Sequence, residues 1–147
     1  MAKLFISYSR KDSAAAKKII DALGTEKHDI WVDWEDIPPA VGWLDQILHG
    51  IEQADAFVFL ISPDSVASEV CNVELEHAHK NAKRIIPIVV REIEWEDTPP
   101  QLGHLNYIFF SRNDDFDTAT KKLMNAIRLE FGKYEYKKSP KTRDFLN

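Results

Sequence analysis

Short apolar runs alternate with longer amphipathic segments along most of the chain. The apolar runs predict strands at residues 3–9, 29–33, 56–62, 84–90 and 106–111. The amphipathic segments predict helices at residues 12–24, 43–54, 68–83 and 116–131. Strands that are apolar on both faces and separated by helices are typical of a parallel sheet covered on both sides. We therefore predict an α/β fold, a flavodoxin-like three-layer sandwich whose five-stranded parallel sheet carries helices on both faces.

Prolines modify this pattern at two places. Pro38 and Pro39 remove two backbone donors from residues 34–42, so we expect no regular structure there. Pro87 lies inside the fourth predicted strand. Because proline within a sheet is confined largely to edge strands and bulges, we expect this strand to be at an edge or to contain a bulge.

The fold class predicts where a ligand would bind. In open parallel sheets, ligands occupy the crevice beyond the carboxyl ends of the strands. The loops that reach this edge, which we call the carboxyl rim, are residues 8–12, 33–43, 62–68 and 91–105. Candidate binding residues are therefore sought in these loops.

The helix after the third strand carries a carboxylate in an unusual position. At about 100° per residue, Leu75, Ala78 and Ala82 fall within roughly 40° of Cys71 and form one apolar stripe. Glu74 lies only about 60° from Cys71, at the edge of that stripe. One interpretation is a surface glutamate that pairs with lysine or arginine. The other is a carboxylate turned towards the carboxyl rim.

Composition limits the classes of function. The chain has 147 residues and a formal charge of −5, which argues against non-specific binding to nucleic acid or to an anionic membrane. We predict one domain over residues 1–132 and a polar tail or linker over residues 133–147. The single cysteine, Cys71, fits a reducing compartment and a cytoplasmic location, and it is predicted to be a buried apolar residue.

The sequence lacks the motifs of several common catalytic and ligand-binding sites. With five glycines and no glycine-rich phosphate motif, the sequence predicts no nucleotide-phosphate loop. It also lacks the GxSxG motif of serine hydrolases. His77 and His79 are roughly 200° apart on a helix and so cannot share a metal ion, and we predict no metal site.

Three segments, in order, resemble the Toll/interleukin-1 receptor (TIR) domain in its bacterial form. They are "FISYSRKD" (5–12), "VDWEDIPPAVGW" (32–43) and "SPDSVASEVCNVELEHA" (62–78). The resemblance extends over about residues 3–131 and implies the flavodoxin-like fold that the periodicity also predicts. It further implies an enzyme that cleaves NAD at the nicotinamide–ribose bond, with Glu74 as the catalytic residue and no cofactor other than the substrate.

The resemblance also implies roles for four further residues and for partners. Ser9 and Arg10 begin a loop with which family members contact the dinucleotide, and Pro38 lies in a segment that resembles the family's mobile loop, whose movement opens the NAD cleft. Trp43 is a candidate for stacking on a base or for a subunit contact, the alternative being a core residue at the start of its helix. Self-association through TIR–TIR contacts is implied, as is a sensor or oligomerisation domain fused beyond the tail. Bacterial relatives often act in antiviral immune signalling. At Val70, the family pattern often has tryptophan.

The chemistry of NAD explains why one matched carboxylate is compatible with this reaction. Ordinary glycoside hydrolysis uses two, one of which protonates the leaving oxygen. Nicotinamide in NAD is a pyridinium and departs as a neutral molecule without an acid. A single desolvated carboxylate can then position the ribose and stabilise an oxocarbenium-like carbon. Two alternatives remain: a non-catalytic TIR–TIR interaction module, and another N-glycosidase such as a nucleoside deoxyribosyltransferase, which the opening motifs fit less well.

Overall fold

A computed structural model describes residues 2–32, 43–103, 105–111 and 116–131, with Trp43 and residues 129–131 described in backbone only. The strands are β1 (Lys3–Ser7), β2 (Asp29–Val32), β3 (Ala56–Ile61), β4 (Arg84–Val89) and β5 (Ile108–Phe109). The helices are α1 (Ser13–Gly24), α2 (Trp43–Gln53), α3 (Pro63–Ala67), α4 (Glu69–Lys80) and α5 (Phe116–Phe131). Short 3₁₀ turns occur at Arg10–Asp12, Trp95–Asp97 and Pro100–Leu102.

The five strands form one parallel sheet in the order β2-β1-β3-β4-β5. Residues alternate between its two faces, as the pleat of a strand requires. On β1, Leu4 and Ile6 join a core cluster with α1 and α5, while Phe5 joins a second cluster with α2 and α4. The predicted five-stranded sandwich with helices on both faces is therefore confirmed.

The prediction that Pro87 marks an edge strand or a bulge is wrong. β4 lies between β3 and β5, and Pro87 pairs in regular register with Phe59. The physical reason is that β5 is very short and pairs only with Ile88 and Val89. Pro87 precedes this paired part of β4, so its missing N–H interrupts no described pairing with β5.

The helix predicted over residues 68–83 is shorter than expected, because α4 ends at Lys80. Ala82 was expected on the apolar stripe, but it is exposed and has φ of 55°. A residue in this left-handed conformation lies outside the helix. The amide of Lys83 instead donates to the carbonyl of Ala78, which redirects the chain into β4.

Other boundaries differ modestly from the predictions. The fifth strand shrinks from residues 106–111 to two residues, and the loop at 62–68 contains the short helix α3. Within the described part of the chain, no helix has both the length and the hydrophobicity needed to cross a membrane. The predicted loop around Pro38 and the predicted tail at 133–147 lie outside the described residues.

A partly buried histidine, whose side chain is largely shielded from water, ties residue 2 to the start of β2 and makes stability depend on pH. Nδ1 of His28 accepts a hydrogen bond from the amide of Ala2 at 3.2 Å, and the side chain is 8% exposed. Burial lowers the pKa of His28 below its ordinary value of 6.5, although the nearby Glu26 opposes this shift. The unfolded chain therefore takes up this proton at a higher pH than the folded one. The contribution is complete above pH 6.5 and is lost as the pH falls through the folded-state pKa.

We expect the free energy of unfolding to fall between about pH 7.5 and pH 5.5, and the fall to be smaller in His28→Gln, which retains an acceptor but cannot titrate. Urea denaturation at the two pH values measures this difference. His79→Gln is the control, because His79 is exposed on α4. Equal losses in the wild type and in His28→Gln would contradict the assignment.

Candidate functional site

Glu74 is buried at the carboxyl end of β1. The residue lies on α4, and only 1% of it is exposed. Its Oε1 accepts a hydrogen bond of 2.6 Å from Oγ of Ser7, which is fully buried. Ser7 is the last residue of β1, so this pair joins α4 to the carboxyl rim of the sheet.

Two serine caps begin the helices α3 and α4. Ser62 follows β3 and is the N-cap of α3, where it forms a capping box with Ser65 in the first turn of that helix. Ser68 then ends α3 and caps α4, accepting a hydrogen bond from the amide of Cys71 at 3.2 Å. With this start, the buried residues of α4 are Cys71, Glu74, Leu75 and Ala78.

This placement excludes the interpretation of Glu74 as a surface residue, because only 1% of it is exposed. Glu74 lies at the edge of the apolar stripe on the helical wheel, and in the structure it is buried together with Cys71 and Leu75, which belong to the core cluster between the sheet and the helices α2 and α4. The prediction that Cys71 is a buried apolar residue is confirmed, since Cys71 is 3% exposed. The sequence contained no signal for the partner, because Ser7 lies 67 positions away.

A second polar cluster links three segments of the carboxyl rim. Asp12 is 5% exposed and accepts hydrogen bonds from Ser62 Oγ at 2.5 Å and from Arg91 Nε at 2.7 Å. Arg91 also donates to Asp64 at 2.5 Å. These bonds connect the turn after β1, the start of α3 and Arg91, the second residue after the end of β4. We call these four residues the rim clamp.

The charges of the rim clamp stabilise one another. The hydrogen bond from Arg91 holds the pKa of Asp64 below its usual range, and Lys11 at 3.7 Å adds to this effect. In turn, the hydrogen bonds that Arg91 donates to Asp12 and Asp64 raise the pKa of Arg91 above its ordinary value, and the bond to Asp12 contributes most. Sequence reasoning missed this cluster, although an acidic residue in the first rim loop was a visible signal.

The remaining predicted site residues are only partly described. Ser9 caps the 3₁₀ turn after β1, where its Oγ accepts from the amide of Lys11 at 3.2 Å, and the next residue, Arg10, is exposed. Both therefore follow Ser7 at the same end of β1. Pro38 and the side chain of Trp43 lie outside the described residues.

Val70 is exposed on the first turn of α4, with 38% of its surface accessible. It precedes Glu74 by four residues, so the two side chains lie on adjacent turns of the same helix face. The position where the family pattern often has tryptophan is therefore a surface position near the carboxyl rim.

The cavity beside Trp31 lies at the opposite end of the sheet. It has a volume of about 480 Å³ and is bordered by Lys3 and Asp29, the first residues of β1 and β2. Trp31 stacks on Phe5 with ring centroids 5.4 Å apart, and an added Cβ at Gly50 would lie 3.1 Å from the indole. This cavity is thus separate from the carboxyl rim. No group of three or more potential metal ligands occurs among the described residues.

The fold and this arrangement define a class of protein. A family model described as the TIR domain matches residues 4–124. The chain therefore belongs to the TIR domain family, and the resemblance seen in its motifs is confirmed at that level.

The curated relatives are animal receptors of much greater length. Toll-like receptor 6 from Homo sapiens is 30% identical over 114 residues, which cover 74% of this chain and 14% of the receptor. Toll-like receptor 1 from Homo sapiens is 35% identical over 78 residues, covering 52% of this chain and 10% of the receptor. The chain thus spans a small part of the relatives it matches.

Solved structures support the same fold. The TIR domain of the Toll-related receptor TRR-2 from Hydra magnipapillata has a TM-score of 0.73 at 22% identity, covering 87% of this chain and 99% of that one. A TIR-STING receptor from C. gigas, in complex with 2',3'-cGAMP, has a TM-score of 0.65 at 25% identity, covering 84% and 38%. The CMP N-glycosidase BcmB from Clostridium botulinum has a TM-score of 0.55 at 16% identity, covering 86% and 98%.

Proposed function

We propose that this TIR domain cleaves NAD at the nicotinamide–ribose bond, with Glu74 as the catalytic carboxylate. The observation that carries the proposal is a desolvated glutamate at the carboxyl end of β1, hydrogen-bonded to Ser7. Ligands of this fold class bind at that end of the sheet. The residues proposed to contact the dinucleotide, Ser9 and Arg10, follow on the same loop.

The proposed reaction breaks the bond between the ribose anomeric carbon and the pyridinium nitrogen. The bonding electrons leave with neutral nicotinamide, and the carbon gains oxocarbenium character. The carboxylate of Glu74 stabilises this positive charge and orients the ribose hydroxyls. Water then adds to give ADP-ribose and a proton, or an adenine nitrogen adds to give a cyclic isomer.

Access to Glu74 is a requirement of this proposal. A carboxylate that is 1% exposed must become accessible before a ribose can contact it. We propose that self-association rearranges the carboxyl rim and admits the substrate. Activity should therefore rise more steeply than in proportion to protein concentration.

A direct assay tests the reaction. Concentrated protein is incubated with NAD, and nicotinamide, ADP-ribose and cyclic products are separated by chromatography. Release of nicotinamide together with an ADP-ribose product supports the proposal. Intact NAD at every protein concentration, including conditions in which the protein is assembled, contradicts it.

The second candidate function is a non-catalytic interaction module. The relatives favour it, since Toll-like receptors and a TIR-STING receptor are receptors by name. Exposed Leu44, Val70 and Val73 on α2 and α4 provide apolar surface for TIR–TIR contacts. A protein that assembles and leaves NAD intact would support this function.

The cellular setting belongs to the same proposal. A cytoplasmic NAD-cleaving domain could act in immune signalling either by depleting NAD or through its nucleotide product. The motifs predict the bacterial form, whereas the curated relatives reported above are animal receptors.

Substitution of Val70 tests whether an aromatic residue at the rim improves substrate binding. We expect Val70→Trp to lower the KM for NAD several-fold, because stacking on a base contributes about 1–3 kcal/mol. The matched control is Val73→Trp, on the same helix and 43% exposed but one residue before Glu74. Steady-state kinetics of both variants measure the effect. An unchanged KM in Val70→Trp, or an equal decrease in the control, would contradict it.

A further inference from the structure

We propose that Ser7 is a positioning residue for Glu74. Its hydroxyl holds the carboxylate in the ionised state and in the orientation that cleavage of NAD requires. This inference rests on the proposed function and adds a second residue to the same site.

The hydrogen bond is short and shielded from water. Ser7 Oγ and Glu74 Oε1 are 2.6 Å apart, and the two residues are 0% and 1% exposed. The serine hydroxyl donates this bond, and the carboxylate oxygen accepts it. Hydroxyl-to-carboxylate bonds of this length are charge-assisted, and they are stronger where water is excluded.

The donor is held in place by the sheet. Ser7 closes β1 and pairs with Phe59 of β3, an interior strand that is buried along its whole length. Its side chain has one heavy-atom torsion, restricted to staggered positions. The hydroxyl is therefore preorganised before substrate binds, which is the condition under which a dipole contributes most to catalysis.

Ser7 also restricts the other partner. The side chain of Glu74 has three torsions, and it extends from α4 towards β1. A hydrogen bond to a fixed donor at that end of β1 reduces the number of rotamers open to the carboxylate. The hydrogen bond selects a rotamer in which Oε1 is directed towards the strand end from which the Ser9–Arg10 turn begins.

A purely structural role for this bond is the competing explanation. The pair also ties α4 to the sheet, and its loss would leave a buried carboxylate without one hydrogen bond, at a cost in stability. Both explanations predict a less stable Ser7→Ala variant. The pH dependence of turnover separates them, because only a positioning role connects Ser7 to the ionisation of the reacting carboxylate.

The experiment measures kcat and KM for nicotinamide release by the full chain across about pH 4 to 8. We expect Ser7→Ala to lower kcat about tenfold and to change KM less than about twofold. A carboxylate that has lost a donated hydrogen bond is protonated more easily. The acidic limb of the kcat profile should therefore move up by about one pH unit. Ser7→Thr, which retains a hydroxyl, should restore the limb.

Ser65 offers a matched control. It is fully buried near the same rim, but its hydroxyl bonds to the backbone of Ser62 in the cap of α3. Ser65→Ala is expected to lose stability and to keep the acidic limb in the wild-type position. If the limb moves equally in both alanine variants, the shift reflects general destabilisation and the inference is wrong.

The two proposals fail in distinguishable ways. If the wild type releases no nicotinamide, the proposed function fails, and Ser7 is then a structural residue only. If the wild type is active and Glu74→Gln is not, the reaction stands and Ser7→Ala decides the inference alone. An unchanged kcat and an unchanged acidic limb in Ser7→Ala would overturn it. If Ser7→Ala does not fold, Ser7→Cys replaces it, and the weaker thiol donor should move the limb in the same direction.

Discussion

Replacing Glu74 with glutamine is expected to lower the rate of NAD cleavage about a thousandfold, the upper end of what loss of one preorganised electrostatic group causes. Glutamine has nearly the same shape, and its amide oxygen can still accept the hydrogen bond from Ser7. What disappears is the negative charge beside the developing oxocarbenium ion. Nicotinamide release under saturating NAD measures the loss.

Stability provides the second half of this test. A buried carboxylate is costly to desolvate, and Glu74 is 1% exposed. The neutral amide avoids most of that cost, so Glu74→Gln should be at least as stable as the wild type in urea. Lower activity combined with equal or higher stability is typical of a residue kept for function.

The control for this prediction is the neighbouring carboxylate on the same helix. Glu76 is exposed, and its carboxylate accepts a hydrogen bond from Gln101 at 2.7 Å. Glu76→Gln changes the net charge by the same amount, and we expect unchanged turnover. The catalytic assignment is wrong if Glu74→Gln retains more than about a tenth of wild-type activity in a preparation shown to be folded.

Phe57→Ala is expected to have the largest effect on stability, lowering the free energy of unfolding by about 3–5 kcal/mol. Phe57 is fully buried at the centre of a row of stacked rings that crosses the sheet. Its ring centroid lies 5.6 Å from that of Phe5 and 6.2 Å from that of Phe59. Truncation removes both stacking contacts and leaves a cavity between the sheet and the helices α2 and α4.

Trp31→Ala is the matched comparison at the exposed end of the same row. Trp31 stacks on Phe5 from the edge strand β2, but it is 39% exposed. We expect a loss of about 1–2 kcal/mol, since much of this ring already contacts water. Urea denaturation of both variants checks the ranking. A larger loss for Trp31→Ala than for Phe57→Ala would show that the edge, rather than the centre, dominates this core.

The sequence by itself determined the architecture. Apolar runs separated by amphipathic helices predicted the parallel sheet, because the periodicities of strands and of helices can each be recognised from residues close together in the sequence. The same local information placed Glu74 near the buried stripe of α4 and predicted the burial of Cys71. It was sufficient for these conclusions because helix and strand geometry follow from the backbone itself.

Only the tertiary structure decided which distant residues meet. Strand order cannot be read from periodicity. The observed order places Pro87 in an interior strand rather than in an edge strand. The left-handed conformation that ends α4 before Ala82 depends on where the chain must enter β4. Ser7 and Glu74, 67 positions apart, meet because β1 and α4 pack across the same sheet face. Local patterns encode which faces are buried, whereas the partner of a buried polar group depends on how complete elements pack together.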